Sequence, residues 1–212
     1  MSDATPSATH PLWTPLHLSQ CDPDPIVQFR RWFEEAAPVM AEREAVALVT
    51  ATPDGHPSAR MVLLRHVDDR TFGWYTNYES RKGVELALNP VAALLWYCEA
   101  RGRQVRVEGT VARAPEAASD AYFAQRPRGS RLGAHASHQS TPLSSREELD
   151  ARVDEVTRAF DGREVPRPAY WGGYRLTATR VEFWQHRESR LHDRILYESD
   201  GAGGWCLTRL AP

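Results

Sequence analysis

The stretch AVALVTATPDGHPSARMVLLRHV, residues 45–67, reads as two strands around a tight turn. Residues 45–52 are mostly apolar or β-branched, Pro53-Asp54-Gly55 supplies the turn, and residues 58–67 return as a second strand. Moving toward the C-terminus, 71–76 reads as a third strand, and Ser80 is placed to cap a short helix ending at Leu88. Asn89-Pro90 breaks that helix and leads into the apolar strand 91–98. Residues 104–113 alternate around Val105, Val107 and Val111, as a half-buried strand does. A helix is expected from Pro115 to about Gln125, then a polar loop over 126–141. Ser144-x-x-Glu147 reads as a capping box opening a helix to about Phe160, and 172–185, 191–198 and 205–210 read as strands.

On the other side of the hairpin, Asp24-Pro25 is an N-cap followed by proline at the first helical position. Ile26, Phe29, Trp32, Phe33 and Ala36 then recur at helical spacing and form one apolar face. Residues 1–21 are rich in Pro, Ser and Thr without periodicity, which predicts a mobile arm preceding one domain over 22–212. Some eight strands with four helices among them, and no strict β-α-β alternation, disfavour a doubly wound parallel sheet. The expected class is mainly β with peripheral helices, an antiparallel barrel or sandwich.

Composition bounds the function. The chain has 212 residues and a formal charge of -2, which argues against a bulk nucleic-acid binder. Of its 26 basic residues, 25 are arginine and Lys82 is the only lysine, so a lysine-rich membrane patch is excluded as well. Cys21, Cys98 and Cys206 are odd in number and lack a C-x-x-C pair; neither a disulfide framework nor a zinc site is expected, and no metal is assigned. His135 and His138 lie three apart in a Ser/Ala-rich stretch without nearby carboxylates. No basic region precedes an apolar stretch at the N-terminus, and the longest strongly apolar run, Val91–Cys98, is far short of a membrane span. A cytoplasmic protein is expected.

The near balance of charge conceals a segregation. Residues 1–59 carry three arginines against eight acids, whereas 101–146 carry eight arginines against three acids. Guanidinium forks beside hydroxyls and glycines suit an anionic ligand, because they meet phosphate oxygens two at a time. The densest run is Arg126-Pro127-Arg128-Gly129-Ser130-Arg131, which by itself also reads as a solvated loop. A second candidate is Tyr75-Thr76 followed by Ser80-Arg81-Lys82 at a helix start, where a phosphate meets backbone N–H groups too. The third is Glu182-Phe183-Trp184-Gln185 with Arg190-Leu191-His192-Asp193-Arg194. If 190–194 is extended, Arg190, His192 and Arg194 share one face. No Walker loop, G-x-G-x-x-G, G-x-S-x-G or H-E-x-x-H occurs.

Taken in order, Arg60-Met61-Val62-Leu63-Leu64, Tyr75-Thr76-Asn77, Ser80-Arg81-Lys82, Arg126-Pro127-Arg128, Gln139-Ser140, Trp171-Gly172-Gly173, Glu182-Phe183-Trp184-Gln185 and Arg190-Leu191-His192-Asp193-Arg194 resemble the pyridoxamine 5′-phosphate oxidases, flavin enzymes that make pyridoxal 5′-phosphate. The resemblance runs from about Asp24 to the C-terminus and implies a split β-barrel homodimer with two FMN sites at the subunit interface. It implies FMN contacts at Arg60, Met61, Val62, Leu63, Leu64, Arg65, Tyr75, Thr76, Arg81, Lys82, Gln104, Gln139, Ser140, Trp184 and Arg194. The Gln104 amide, which both donates and accepts, suits the polar edge of the isoalloxazine ring.

The substrate phosphate is implied at Arg65, Tyr122, Arg126 and Ser130, with Arg190, Leu191 and His192 over the pyridine ring. Arg190 and His192 are the implied catalytic pair, one holding the substrate and the other hydrogen-bonding it. The implied reaction moves a hydride from the substrate C4′ carbon to the flavin, which dioxygen reoxidises to give hydrogen peroxide. Two departures fall on the substrate side. Position 65, usually lysine in the family, is arginine, and the family's basic-aromatic N-terminal segment has no counterpart in Ser7-Ala8-Thr9-His10. Beside oxidation of pyridoxamine or pyridoxine 5′-phosphate, two other readings stand: a related flavin oxidase acting on another ring, as in phenazine biosynthesis, and a flavin-binding split barrel without turnover. Retention of Tyr122, Arg126, Ser130, Arg190 and His192 counts against both.

Overall fold

A computed structural model describes residues 14–212, in nine strands and five α-helices. The hairpin is β1 (Ala45–Ala51) and β2 (Pro57–Leu63), antiparallel with Leu48 opposite Arg60. The expected second strand does not run unbroken to 67: Leu64 and Arg65 interrupt it, and β3 (His66–Asp68) follows. The sheet continues through β4 (Thr71–Asn77), β5 (Val91–Cys98), β6 (Arg103–Arg113) and β7 (Trp171–Gln185), in the order β2-β1-β5-β6-β7-β4-β3. β8 (Asp193–Ser199) and β9 (Trp205–Leu210) add on through β7.

The two ends of that path, β2 and β3, are consecutive in the chain. Leu64 N–H still donates to Glu44 O beside β1 (2.7 Å), while Arg65 N–H donates to Gly73 O on β4 (2.8 Å). One continuous segment therefore changes partner and closes the barrel covalently at its seam. This break explains why one strand was expected and two short ones form. β6 carries the irregularity that bends the sheet, a register shift between Glu108 and Gly109. A Cβ on Gly109 would lie 1.9 Å from Thr177 O, so only glycine lets the two backbones approach there.

The barrel interior is filled by Val46, Leu48, Leu94, Trp96, Val105, Val107, Leu176 and Phe183, all at most 2 % exposed. Helix α1 (Pro25–Ala36) lies against this core. Asp24 Oδ1 accepts from Ile26 N–H (2.8 Å) and Pro25 occupies the first position, as the sequence indicates. Its apolar face inserts Phe29 edge-on to Phe72 (5.1 Å) and Trp32 edge-on to Phe183 (5.1 Å). Replacing Trp32 by alanine removes a side chain of the class whose loss costs about 3–5 kcal/mol.

Helices α2 (Arg81–Leu88), α3 (Glu116–Gln125), α4 (Arg128–Ala136) and α5 (Arg146–Ala159) complete the fold. Three expectations change. The segment 126–141 is not all loop, since α4 occupies its middle: Leu132 and Ala136 are buried, and the Arg128 guanidinium donates to Phe160 O (2.6 Å) and Arg163 O (2.8 Å). Gly129, Ser130 and Gly133 are weak helix formers, and tertiary contacts override them. The capping box sits one residue later, with Ser145 Oγ accepting from Glu148 N–H and Glu148 Oε2 accepting from Ser144 N–H (2.8 Å). Residues 191–192 are outside β8. Glu188–Arg190 is instead a short 3₁₀ turn in which Ser189 (φ 55°) and Arg190 (φ 60°) are left-handed.

Of the expected arm, residues 1–13, including 7–10, lie outside the described residues. Residues 14–21 lie on the domain: Leu16 is buried, its N–H donates to Asp193 Oδ2 and its carbonyl accepts from Arg209. Among the described residues no helix is long and apolar enough to cross a membrane, and no group of three His, Cys, Asp or Glu is placed to hold a metal ion.

Candidate functional site

A cleft of about 770 Å³ opens where β2, the end of β4, the start of α2 and helices α3 and α4 converge. Fourteen of the residues expected from sequence line it: Arg60, Met61, Val62, Leu63, Arg65, Tyr75, Thr76, Arg81, Lys82, Tyr122, Arg126, Ser130, Gln139 and Ser140. Five of these are cationic, and among the described residues no carboxylate lines the cleft.

Lys82 enters from the first turn of α2 and is 7 % exposed. Its Nζ donates to Thr76 Oγ1 (3.1 Å), Ser80 Oγ (3.1 Å) and Gln139 Oε1 (3.4 Å), all neutral oxygens. Burial, helped by the Arg60 guanidinium and opposed by Glu85, pushes its ammonium down to about 8. Ser80 is the N-cap residue of α2, yet its hydroxyl donates to Asn77 O (2.7 Å) and accepts from Lys82 instead of capping the helix. Gly83 allows this turn to close, since a Cβ there would meet Tyr78 O at 2.0 Å. Ser140, in the left-handed region (φ 75°), accepts from Arg81 N–H at 3.2 Å.

Arg60 and Arg81 share one acid that the sequence reading did not single out. Glu85 is 4 % exposed and accepts from Thr50, Ser58, Arg60 and Arg81. Burial alone would raise its carboxyl, but hydrogen bonds from Ser58, Thr50, Arg81 and Arg60 prevail and hold it at about 2. The signal was present as spacing, Arg81 and Glu85 being one helical turn apart. Arg65, Lys82 and Arg126 form no ion pair among the described residues. Arg126 lies over the Trp171 ring at 4.6 Å, and burial lowers its guanidinium from the usual value.

The remaining expected residues are elsewhere. Leu64 is buried in the core. Gln104, Trp184 and Arg194 stand directly opposite one another across β6, β7 and β8, on the half-exposed face. Tyr97, half exposed, extends the row on β5 and was missed because register is not visible in sequence. Glu182, 4 % exposed, accepts from Arg106 (2.7 Å) and Arg194 (2.7 Å), and this hydrogen bond raises the Arg194 guanidinium. Near this row, Trp184 and His192 meet at 4.5 Å. His192 Nδ1 accepts from Arg187 N–H (3.2 Å), which leaves the proton on Nε2. Burial, then His186 and Arg190, lower its pKa. Arg190 and Leu191 are exposed, and the turn at 188–190 removes Arg190 from the strand expected to align it with His192 and Arg194. One chain thus carries two separate groups, a cation-rich cleft and an aromatic-imidazole row.

The donor set fits FMN. A phosphate suits a buried ammonium held, among the described residues, by neutral oxygens, and a second anion suits Arg126, whose buried Nη1 has no hydrogen-bond partner among them.

Comparisons with known proteins show the family. Residues 33–159 match the family described as Pyridoxamine 5'-phosphate oxidase, and residues 171–212 match its C-terminal dimerisation region. The chain is 59% identical over 192 residues to a pyridoxine/pyridoxamine 5'-phosphate oxidase of Rubrobacter xylanophilus, covering 90% of this chain and 88% of that protein. It is 54% identical over 198 residues to the enzyme of that name from Cupriavidus taiwanensis, covering 92% and 93%. Among solved structures, PhzG from Burkholderia lata in complex with tetrahydrophenazine-1-carboxylic acid superposes with a TM-score of 0.85 at 36% identity, covering 92% of this chain and 95% of that one. A pyridoxamine 5'-phosphate oxidase-related, FMN binding protein from Nostoc punctiforme shares the fold at 15% identity and a TM-score of 0.70, covering 94% and 100%. The split barrel, the ordered motifs and the cation-rich cleft lead to one conclusion: the chain belongs to the pyridoxamine 5'-phosphate oxidase family.

Proposed function

We propose that this protein is an FMN-dependent oxidase that converts pyridoxamine 5′-phosphate and pyridoxine 5′-phosphate to pyridoxal 5′-phosphate. The observation that carries the reading is a single cleft lined by five cations and no acid, three of which pair with no carboxylate among the described residues. Two anions fit there. Lys82, Arg60, Arg81 and the Ser140 hydroxyl serve the flavin phosphate, while Arg126, Tyr122, Ser130 and Arg65 serve the substrate phosphate. Bound FMN supplies the redox chemistry, with dioxygen as the terminal acceptor yielding hydrogen peroxide.

The residues of this chain bind and orient. Arg190 and His192 belong over the substrate ring, and His192, with Nδ1 already occupied, offers Nε2–H as a donor and does not need to act as a base. The row of Gln104, Trp184 and Arg194 does not line the cleft of its own chain, so the complete site is assigned to two protomers, each giving one half. The match to a dimerisation region and the exposed apolar Met61 (63%) and Leu63 (45%) on the edge strand β2 support that assembly. A phenazine-type substrate, raised by the likeness to PhzG, is disfavoured by retention of Tyr122, Arg126 and Ser130 around the second anion position.

The test is direct. The purified protein is expected to be yellow with a flavin spectrum and, given pyridoxine 5′-phosphate under air, to release pyridoxal 5′-phosphate and peroxide in equal amounts. A flavin-loaded preparation that releases neither would refute the reading.

A further inference from the structure

The cleft positions its arginines by two different devices. Arg60 and Arg81 are held by the Glu85 carboxylate, which spends part of their charge and some of their N–H groups. Arg126 has no acid beside it among the described residues. Its guanidinium lies over the Trp171 indole (4.6 Å) with Phe123 on a second side (5.5 Å), and its buried Nη1 has no hydrogen-bond partner among the described residues. An aromatic face attracts a guanidinium without consuming a donor or cancelling its charge. A cation held this way keeps its N–H fork available for an incoming anion.

Trp171 is built to be immobile. It opens β7 opposite Asn77, its N–H donates to Pro168 O (3.0 Å), and its carbonyl accepts from Arg167 (2.7 Å). Phe123 meets the indole edge-on at 5.0 Å, and the indole runs parallel to the Tyr75 ring at 5.7 Å and the Tyr122 ring at 6.2 Å. The side chain is 6% exposed yet forms part of the cleft wall.

We propose that Trp171 is a positioning residue for the phosphate-monoester subsite, holding Arg126 by its ring so that the guanidinium meets the substrate phosphate with its donors unspent. The inference rests on the reading that Arg126 binds the substrate phosphate. Trp171 acts on affinity for the phosphorylated substrate and on inhibition by inorganic phosphate, and it leaves turnover of bound substrate and flavin content unchanged.

The experiment is a double-mutant cycle on the flavin-loaded enzyme with Trp171→Leu, Trp171→Phe, Arg126→Ala and the combinations. Steady-state KM and kcat for pyridoxine 5′-phosphate, Ki for inorganic phosphate and the flavin-to-protein ratio are read together. Trp171→Leu is expected to raise KM and Ki about tenfold with kcat nearly unchanged, and Trp171→Phe, which keeps a weaker ring, about threefold. Neither change is expected to raise KM further in the Arg126→Ala background. An unchanged KM in Trp171→Leu, or an equal rise with and without Arg126, overturns the proposal. If Arg126→Ala itself leaves KM unchanged, the phosphate reading of Arg126 fails instead. Should the leucine variant not fold, the phenylalanine variant decides, and a KM equal to that of the parent enzyme overturns the proposal.

Discussion

Lys82 holds its charge in a place where burial opposes it, an opposition that the proposed flavin phosphate would relieve. With the ammonium at about 8, the flavin-free site loses its cation as pH rises, so FMN affinity is expected to fall between pH 7 and 9, as fluorescence titration reads. Lys82→Met removes a charge-assisted hydrogen bond worth about 1.5–3 kcal/mol, so flavin affinity should drop by roughly 10- to 150-fold. For the proposed role of Arg190 over the substrate ring, Arg190→Ala is expected to cut turnover strongly while the flavin spectrum of the purified protein stays intact. The lysine and arginine positions were legible because ordered motifs carry residue identity. The roles of Glu85 and Trp171 were not, because neither a shared carboxylate nor a ring under a guanidinium leaves a mark until the chain has folded.

At the scale of the element, α2 is fastened to the hairpin by the Glu85 carboxylate, which ties Arg81 on the same helix to Thr50 on β1 and to Ser58 and Arg60 on β2. Breaking a fully buried pair costs about 3–5 kcal/mol. Arg81 is 63% exposed and can turn to water, so Glu85→Ala is expected to cost less, about 2 kcal/mol in urea unfolding. The carboxyl is held below its unfolded value, so its contribution is present above pH 4.5 and lost as pH falls toward 2. Acid unfolding of Glu85→Ala should accordingly be shallower over that window. Sequence periodicity anticipated α1 and β6 because their apolar spacing matches how they are buried, whereas β5 was legible only as an apolar run, on which Val91 and Tyr97 are exposed. It missed α4, whose glycines disguise a helix stabilised by Arg128 and by burial of Leu132 and Ala136. It also ran β2 into β3, since a strand that changes partner keeps its composition.

For the whole molecule, two half-sites on one chain make a prediction that no single-chain site makes. Lys82→Met and Arg194→Ala homodimers should each be weakly active. If each site takes one half from each protomer, a mixed dimer contains one site with both defects and one with neither. Re-equilibrated equal mixtures should regain about a quarter of the parent activity, since about half the dimers are mixed and each has one intact site of two. Mixtures no more active than their components would place the row and the cleft in separate functions. The lone buried lysine has a further consequence at this scale. The proposed product is an aldehyde, which condenses with free amines, and the only lysine of the chain is 7% exposed. The folded enzyme therefore offers its own product no lysine on the surface to form an imine with. Borohydride reduction of the native flavin-loaded protein in excess pyridoxal 5′-phosphate should leave Lys82 unmodified by mass spectrometry, whereas the same treatment after unfolding should label it.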